Sequence, residues 1–392
     1  MNNYIHPALI GSLSAAEDSQ SLINFSPGPT SLPKPVEENI KQIFNKKGLT
    51  SLALSHRSPE FIEIINNATA SIREVMLIPN NYEILFTHAG GHGQFAAVPL
   101  NLCQRTSDVA TYIINGTWSA RAENEAKKYC QTHVIDGNDP TSGQFTTFPD
   151  LNESDIDPDS KYIYLCSNET VNGIELHRLP TLPESRKHIP LIVDASSDFS
   201  TKPIDWDKAG VGVLFACASK NIGHPGLTVT IVRKDLLDKA SPFCPEVFNY
   251  TTFSKAGNLW NTPATFNIEV VGFLMAWIKS IGGVNINEQR CIAKAKVLYD
   301  VIDGSKGFYS TPVENKQLRS RMNVPFNIKG GDEKLTNTFL IESWEAGMVG
   351  MRTLTPFGVG EYLRASLYNS VSEDDVLKLV NFMKVFAERN ND

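Results

Sequence analysis

The sequence lacks the features that mark several classes of protein. Its 36 lysines and arginines are outnumbered by 43 aspartates and glutamates, which gives a formal net charge of -7, and its basic residues form no run. A nucleic-acid-binding surface requires a basic patch or stripe, so we do not expect a nucleic-acid partner. No apolar stretch reaches the roughly 18 residues of a membrane span, so we expect no membrane partner either.

Cysteine is also scarce. The six cysteines are widely spaced, form no C-x-x-C pair and have no histidine near them at the spacing of a zinc site. This pattern predicts no metal site, and it indicates free thiols in a reducing, cytoplasmic compartment. Residues 1–23 lack the basic and apolar segments of a signal peptide, and we interpret them as a flexible N-terminal extension.

Short apolar runs alternate with amphipathic helical patterns between residues 24 and 263. Each run is too short for a buried helix, and the alternation is typical of parallel strands joined by helices. The sequence therefore predicts a large α/β domain over residues 24–263. Its predicted strands cover residues 82–88, 109–114, 162–166, 190–195, 213–218 and 227–233.

The pattern changes after residue 263, where long helical periodicities replace the alternation. The final segment begins with a serine cap and an acidic first turn, which favour a helix. These features predict a second, smaller domain over residues 264–392. Its helical patterns cover residues 265–283, 286–303 and 372–390, and its strand-like segments cover residues 322–328 and 363–369.

Asp194 and Lys220 each follow a predicted strand of the large domain. Side chains at that edge of an α/β sheet meet ligands, so the acid and the lysine can face one small molecule. Pyridoxal phosphate (PLP) needs this pair, because a lysine amine holds its aldehyde and a carboxylate keeps its pyridine nitrogen protonated. Taken singly, Asp194 could instead be a turn residue and Lys220 a solvated surface lysine.

A glycine-rich turn, with Gly90, Gly91 and Gly93, follows the first predicted strand and precedes a helical pattern. Free backbone N–H groups at the start of a helix bind anions, so this turn is a candidate site for the cofactor phosphate. A plain connection between a strand and a helix uses the same residues, and that alternative stays open.

Two further polar or aromatic residues follow predicted strands. The indole of Trp118 could stack on a pyridine ring, although a tryptophan in the hydrophobic core would give the same pattern. The hydroxyl of Thr170 could reach an oxygen of the cofactor, although the residue could also serve an ordinary turn.

Several segments, in this order and spacing, resemble the phosphoserine aminotransferases of class V, which are fold-type I PLP enzymes. The similarity covers residues 24–388. It implies a mostly parallel seven-stranded sheet flanked by helices, together with a smaller α+β C-terminal domain. The segments are INFSPGPTSLP, LSHRSPEF, GGHGQFAAVPLNL, SNETVNGIE, DASSDFSTKPID, SKNIGHPGLTVTIVRKDLL, NTPATF, SRMNVPF and LRASLYN.

The resemblance also implies roles toward the cofactor. Lys220 would hold PLP as an imine and shuttle the substrate α-proton, Asp194 would pair with the pyridine nitrogen, and Trp118 would stack on the ring. Further cofactor contacts are implied for Gly91, His92, Thr170 and Ser219.

Other roles are implied at the substrate and between subunits. Asn261 and Thr262 resemble the pair that reaches the cofactor phosphate from the neighbouring subunit, which implies a homodimer with shared sites. Arg364 resembles the arginine that binds the substrate α-carboxylate. His56 and Arg57 resemble the residues that contact the distal acidic group, again from across the dimer. The implied reaction moves the amino group of glutamate to a 2-oxo acid by a ping-pong course.

The sequence departs from the family at three places. His92 stands where an arginine is usual, Ser219 stands where glutamine is usual, and the segment TLTPFGVGEY, residues 353–362, replaces a shorter element with a His-Arg pair. The two missing arginines would bind the substrate phosphate in the family. The acceptor is therefore either 3-phosphohydroxypyruvate, bound by a rearranged pocket, or an unphosphorylated or other acidic oxo acid.

Two further classes of function stay open at this stage. The same fold supports other PLP reactions, such as decarboxylation or elimination, when the groups around the imine change. A binding or scaffold protein is the other alternative, but it would have little reason to keep Lys220, Asp194 and Arg364 together. Cys217 precedes Lys220, and its place in an apolar strand indicates core packing.

Overall fold

The computed structural model describes residues 22–354 and 362–391. Most of the predicted N-terminal extension therefore lies outside the described residues, as does most of the segment TLTPFGVGEY. Residue Ile23 is described, and it belongs to a short strand, β1 (Ile23–Asn24).

The large sheet has seven strands in the order β2-β10-β9-β8-β5-β3-β4. Strand β10 pairs antiparallel with both of its neighbours, and the pairs that join β9, β8, β5, β3 and β4 are parallel. The predicted fold class is thus confirmed. The strands are β2 (Tyr82–Thr87), β3 (Val109–Ile114), β4 (Gln131–Asp136), β5 (Ile163–Cys166), β8 (Leu191–Asp194), β9 (Val211–Cys217) and β10 (Thr228–Arg233).

Strand β4 is the one strand of this sheet that the apolar runs did not predict. It lies at the edge of the sheet, and most of its side chains are exposed or only partly buried. Its sequence, QTHVID, is correspondingly polar. An edge strand needs no continuous apolar run, because only part of it packs against a core.

Helices cover both faces of the large sheet. Helix α2 shows how the sequence sets their ends: Ser58 caps its N-terminus by accepting the N–H of Phe61, and Pro59 occupies the first turn. The helices are α1 (Lys34–Asn45), α2 (Pro59–Val75), α3 (Gly90–Leu102), α4 (Thr117–Ala126), α5 (Tyr250–Lys255), α6 (Thr265–Ser280), α7 (Gly283–Gly304), α8 (Glu333–Glu345) and α9 (Glu373–Asn390).

Alternate residues of the central strands enter two different hydrophobic clusters. Ile163 and Leu165 of β5 lie in one cluster, whereas Tyr164 lies in the other. Both faces of the sheet are therefore buried, which explains why its inner strands appear in the sequence as continuous apolar runs.

A second sheet, in the order β11-β12-β15-β14, packs against α7, α8 and α9 in a separate hydrophobic cluster. Its pairs are antiparallel. Ile23 and Phe25, from the start of the described chain, join this cluster, and β1 pairs with β13 (Met348–Val349). The strands of the second sheet are β11 (Tyr309–Ser310), β12 (Asn323–Ile328), β14 (Thr353–Leu354) and β15 (Tyr362–Ser366).

The division of the chain at residue 263 stays a prediction. Helix α6, which follows that residue, packs with the cluster of the large sheet, and Gly272 allows it to approach Ala68 of α2 closely. The larger core therefore includes a helix that the predicted boundary assigns to the smaller domain.

No single helix within the described ranges has both the length and the apolar composition to cross a membrane. Helices α6 and α7 meet those two criteria only as a pair, and they are bent by 82° relative to each other.

Buried charges connect the two parts of the fold. The Lys202 ammonium lies 2.6 Å from Asp198 and 3.1 Å from Glu175, and the Arg321 guanidinium lies 2.5 Å from Glu175 and 3.0 Å from Glu288 of α7. Burial opposes ionisation of Glu175, but the adjacent Lys202 and Arg321 lower its pKa. The opposite charges compensate one another, so that removing one leaves an excess of the other sign buried in the interior.

We expect Arg321→Met to lower the free energy of unfolding by about 3–5 kcal/mol, because it removes the cation shared by two buried carboxylates and leaves Glu175 with Lys202 alone. Arg389→Met, which removes a mostly exposed arginine from its pair with Glu342, should cost at most about 1 kcal/mol. Urea unfolding of both variants measures the difference. If both variants lose the same free energy of unfolding, the buried network stabilises the fold no more than an exposed ion pair does.

Candidate active site

A cavity of about 490 Å³ opens where the strands of the large sheet end. Parallel strands bring their carboxyl ends to one edge, which is where α/β proteins bind ligands. Eight of the predicted site residues line this cavity: Gly91, His92, Trp118, Thr170, Asp194, Ser219, Lys220 and Arg364.

A second cavity, of about 620 Å³, lies beside the buried ion network. Its buried charges, Asp198 and Lys202, are bonded to each other at 2.6 Å. The smaller cavity is the one that combines the predicted lysine, aspartate, arginine and aromatic residue, so we assign the chemistry to it.

Asp194 and Lys220 both face the smaller cavity. Asp194 is the last residue of β8, and its Oδ1 accepts the N–H of Ser196 at 2.9 Å. Burial raises the pKa of Asp194, and the nearby Lys220 only partly opposes that effect. For Lys220, burial would lower the pKa, but Tyr368, Cys217 and Asp194 together raise it. The two groups thus lie in one secluded, low-dielectric environment.

Backbone segments from near the two ends of the described chain hold Lys220 in place. The hydroxyl of Thr30 donates to the carbonyl of Lys220 at 2.9 Å, and a Cβ on Gly28 would lie 3.4 Å from Lys220 Cγ. The hydroxyl of Tyr368, which follows β15, donates to the carbonyl of Pro27 at 3.1 Å. Sequence patterns did not reveal these contacts, because they join residues far apart in the chain.

Trp118 lies in the first turn of α4 with its ring at the cavity. Its indole N–H donates to the hydroxyl of Thr170, and the Lys220 ammonium lies 5.5 Å from the ring centroid. The His92 ring meets the indole edge to face, with centroids 5.8 Å apart. The predicted glycine turn, strand-end tryptophan and lysine therefore meet at one point.

The glycine-rich turn adopts the conformation that its composition favours. Ala89 and Gly90 have φ of 66° and 62°, in the left-handed region, and α3 begins at Gly90. A Cβ on Gly93 would lie 2.7 Å from that of Ala89 and 2.9 Å from the carbonyl of His88. The turn therefore requires glycine, and it brings the start of α3 to the cavity, where free N–H groups suit a phosphate.

Arg364, on β15, supplies the cationic side of the cavity. Its Nη1 donates to the carbonyl of Thr170 at 2.8 Å, whereas its buried Nε has no hydrogen-bond partner among the described residues. Burial lowers the pKa of Arg364, and the nearby Arg352 lowers it further. A guanidinium held in this way by one nitrogen retains donors for an anionic ligand.

The interpretation of Cys217 as a core residue was wrong. It lines the cavity, and its sulfur lies 3.2 Å from the hydroxyl of Ser196. Its place at the end of β9, just before Lys220, was the signal available in the sequence. Ser196 and Ser197, which follow Asp194, also line the cavity and were not predicted.

Four predicted residues do not line the cavity of their own chain: His56, Arg57, Asn261 and Thr262. They lie on two neighbouring loops, since the hydroxyl of Thr265 donates to the carbonyl of Ser51 at 2.6 Å. Arg57, Asn261 and Thr262 are exposed. That hydrogen bond places the start of α6, just after Asn261 and Thr262, beside the loop that precedes His56 and Arg57.

The cavity is suited to PLP. A lysine and a buried carboxylate lie at neighbouring strand ends, an aromatic ring lies beside the lysine, and a glycine turn requires small residues where a phosphate would bind. Within residues 22–354 and 362–391, no cluster of three or more histidine, cysteine or acidic residues could hold a metal ion.

Comparison with known proteins agrees with this assignment. Residues 22–379 match the family model described as aminotransferase class-V. The chain is 40% identical to the phosphoserine aminotransferase of Drosophila melanogaster over 375 residues, which cover 94% of this chain and 99% of that protein.

Solved structures show the same likeness. The phosphoserine aminotransferase of Bacillus circulans subsp. alkalophilus matches with a TM-score of 0.86 and 33% identity, covering 95% of this chain and 99% of that one. PLP-bound phosphoserine aminotransferase from Trichomonas vaginalis matches with a TM-score of 0.83 and 32% identity, covering 93% and 100%. The resemblance drawn from the sequence is thus confirmed.

We expect Asp194→Asn to increase the free energy of unfolding at neutral pH when the cofactor is removed, because the amide avoids the cost of burying a charge. Burial raises the pKa of folded Asp194 above its unfolded value of about 3.9. The advantage of the variant should therefore grow as the pH rises from about 4 through the folded pKa, and then stay constant.

Urea unfolding of the two proteins between about pH 4 and 8 measures this trend. Asp235→Asn is the control, since Arg233 lowers the pKa of Asp235 and that change should cost stability at neutral pH. A loss of stability in Asp194→Asn as large as that in the control would contradict the expectation.

Proposed function

This chain belongs to the class-V aminotransferases and is a PLP-dependent aminotransferase, and we propose that it transfers the amino group of L-glutamate to 3-phosphohydroxypyruvate. The observation that supports the chemistry is the meeting of Lys220 and Asp194 in one cavity with Arg364. The substrates of such an enzyme are an amino acid and a 2-oxo acid. Their identity is the proposed part.

Each residue of the cavity has a task in this reaction. When bound, PLP supplies an electron sink for the negative charge that develops at the substrate α-carbon. Lys220 would hold the cofactor, and its freed amine would take the proton from the substrate α-carbon and deliver it on the cofactor side of the C–N link. Asp194 would keep the pyridine nitrogen protonated, and Trp118 would pack against the ring.

Arg364 binds the α-carboxylate that every substrate of the reaction carries. Its Nε supports this role, since that donor is buried and finds no acceptor within residues 22–354 and 362–391. A buried donor without an acceptor costs about 1–3 kcal/mol, which a carboxylate ligand would recover. The bond from Nη1 to the carbonyl of Thr170 fixes the orientation of the guanidinium.

The acceptor is the least constrained part of the proposal. The names of the relatives favour a phosphorylated oxo acid. His92 on the cavity wall favours the second candidate, an unphosphorylated or other acidic oxo acid, because an arginine is usual at this position in the family and binds phosphate more strongly. Arg352, near Arg364, provides a second cation that could compensate.

Steady-state assays with glutamate test the proposal. With 3-phosphohydroxypyruvate we expect a kcat/KM of about 10⁴ M⁻¹ s⁻¹ or more, and a value at least about 10-fold lower with hydroxypyruvate, which lacks the phosphate. Lys220→Ala should lower kcat by about 100-fold or more and remove the visible absorbance of the bound cofactor. Faster turnover of hydroxypyruvate would support the second candidate instead.

We further propose that the enzyme is a homodimer with shared sites. Apolar side chains beside the two loops are exposed, namely Phe44, Leu49 and Leu52, and Trp260 is partly exposed. Phe44 contacts Phe266, and Phe266 stacks on His224, which adjoins the cavity-lining residues 225–227. The apolar face thus continues to the rim of the cavity.

A second copy of the chain would cover this face and bring His56, Arg57, Asn261 and Thr262 to the cavity of its neighbour. The buried Nε2 of His56 has no hydrogen-bond partner in the described part of the chain, which supports a partner from a second copy. We also propose a cytoplasmic location, supported by six cysteines that are all free.

Mixing of inactive variants tests the shared site. Co-expression of Lys220→Ala with Arg57→Ala should restore about a quarter of wild-type activity, because half of the dimers are mixed and each of these has one intact site. Each variant alone, and Lys220→Ala mixed with the double variant Lys220→Ala/Arg57→Ala, should remain inactive. If the activity of the first mixture does not exceed that of these controls, the proposal that the two subunits share their active sites is refuted.

A further inference from the structure

Helix α4, which carries Trp118, begins without a capping side chain of its own. Its N-cap residue is Gly116, and the N–H groups of Thr117, Trp118 and Ser119 have no partner within the helix. Helix ends of this kind need acceptors from elsewhere in the protein, since a buried N–H without a partner costs free energy.

Two side chains of one hairpin supply these acceptors. The hairpin consists of β6 (Asn168–Glu169) and β7 (Ile174–Glu175) with the turn between them. Asn172 accepts the N–H of Thr117 at 3.0 Å, and the Glu169 carboxylate accepts the N–H of Trp118 at 2.8 Å and that of Ser119 at 2.7 Å. The hydroxyl of Ser119 also donates to Glu169, at 2.7 Å.

Glu169 has little freedom to adopt another arrangement. Its side chain is fully buried, and a Cβ on Gly116 would lie 2.4 Å from two of its carbon atoms. Glycine is therefore required at residue 116 by space, because the carboxylate occupies the volume that any side chain would need. A carboxylate at the start of a helix is also favoured by the helix dipole.

The same hairpin holds two side chains of the active site. Thr170, the residue after Glu169, accepts the indole N–H of Trp118 with its hydroxyl and a guanidinium N–H of Arg364 with its carbonyl. Trp118 is thus held at both ends, its backbone by Glu169 and its ring by Thr170. Glu169 itself does not line the cavity.

We propose that Glu169 is a positioning residue: its carboxylate fixes the first turn of α4 and thereby sets the Trp118 ring in the cofactor site. The inference rests on the proposed contact of Trp118 with the cofactor. The carboxylate accepts three hydrogen bonds on two oxygens, and the shared hairpin keeps Trp118 and Arg364 in a fixed relation.

Glu169→Gln is the variant that separates this role from mere space filling. Its amide has almost the same shape as the carboxylate but only one oxygen, so its NH₂ group must face an N–H of Trp118 or Ser119. The matched control is Glu288→Gln, which alters another buried glutamate, paired with Arg321 and Arg178 and located on α7, outside both α4 and the hairpin.

Hydrogen exchange in the cofactor-free proteins is the first measurement. We expect exchange of the amides at residues 117–120 to be about 10- to 100-fold faster in Glu169→Gln than in wild type, and unchanged in Glu288→Gln. This readout needs neither cofactor nor substrate. It therefore decides whether Glu169 holds the turn even if the proposed substrates prove wrong.

The loaded enzyme supplies the second measurement. We expect Glu169→Gln to change the circular dichroism of the visible cofactor band and to lower kcat about 10- to 100-fold, with a much smaller change in KM for glutamate. Glu288→Gln should leave the band and kcat unchanged. Absence of activity in the wild-type assay would count against the proposed substrates, while the exchange and the dichroic band still test Glu169.

Two results would overturn the inference. One is unchanged exchange at residues 117–120 in Glu169→Gln. The other is faster exchange with a wild-type dichroic band and kcat, which would make Glu169 a structural cap without effect on the site. If Glu169→Gln does not fold, Glu169→Asp replaces it: the charge is kept but drawn back by one methylene, and the same two changes should appear at smaller size.

Discussion

The site depends on the parallel pairing of β8 with β9. Asp194 lies opposite Phe215 in this register, and the two strands run in the same direction, so that their ends deliver Asp194 and Lys220 to one edge of the sheet. Neither side chain could reach the other through local structure, since a strand and a connection separate them. Pairing between strands therefore sets which charges meet, and the remaining residues of the cavity are arranged around that pair.

Burial gives this pair its chemical character. Both faces of the sheet are covered and Asp194 is buried at its edge, so water screens the carboxylate and the ammonium less than at the surface, and burial alone disfavours the charge on each. The protein accepts that cost in the absence of the cofactor because the same seclusion strengthens each polar contact once PLP is bound. The Nε of Arg364 is a smaller example: among the described residues it is buried without an acceptor, which costs free energy until a ligand supplies one.

Much of the fold and site could be predicted from the sequence, for identifiable reasons. The inner strands are buried on both faces and appear as apolar runs, and Asp194, Lys220 and the glycine turn follow such runs directly. Strand β4 was not predicted, because its position at the edge of the sheet permits polar residues and it therefore lacks an apolar run. Cys217 was misinterpreted because the apolar composition of its strand was given more weight than its position at the strand end, just before Lys220. Glu169 was not singled out, since its importance lies in contacts with Trp118 and Ser119 that only the folded chain reveals.

The contacts around Lys220 also bear on how the protein is made. Thr30, near the start of the described chain, bonds the backbone of Lys220, and Pro27 is held by Tyr368, which lies 341 residues later in the chain. An incomplete chain on the ribosome therefore lacks the walls that enclose its reactive amine. The contacts around the amine are complete only after Tyr368 has been synthesised, so a chain that stops before that residue lacks the bond that holds Pro27.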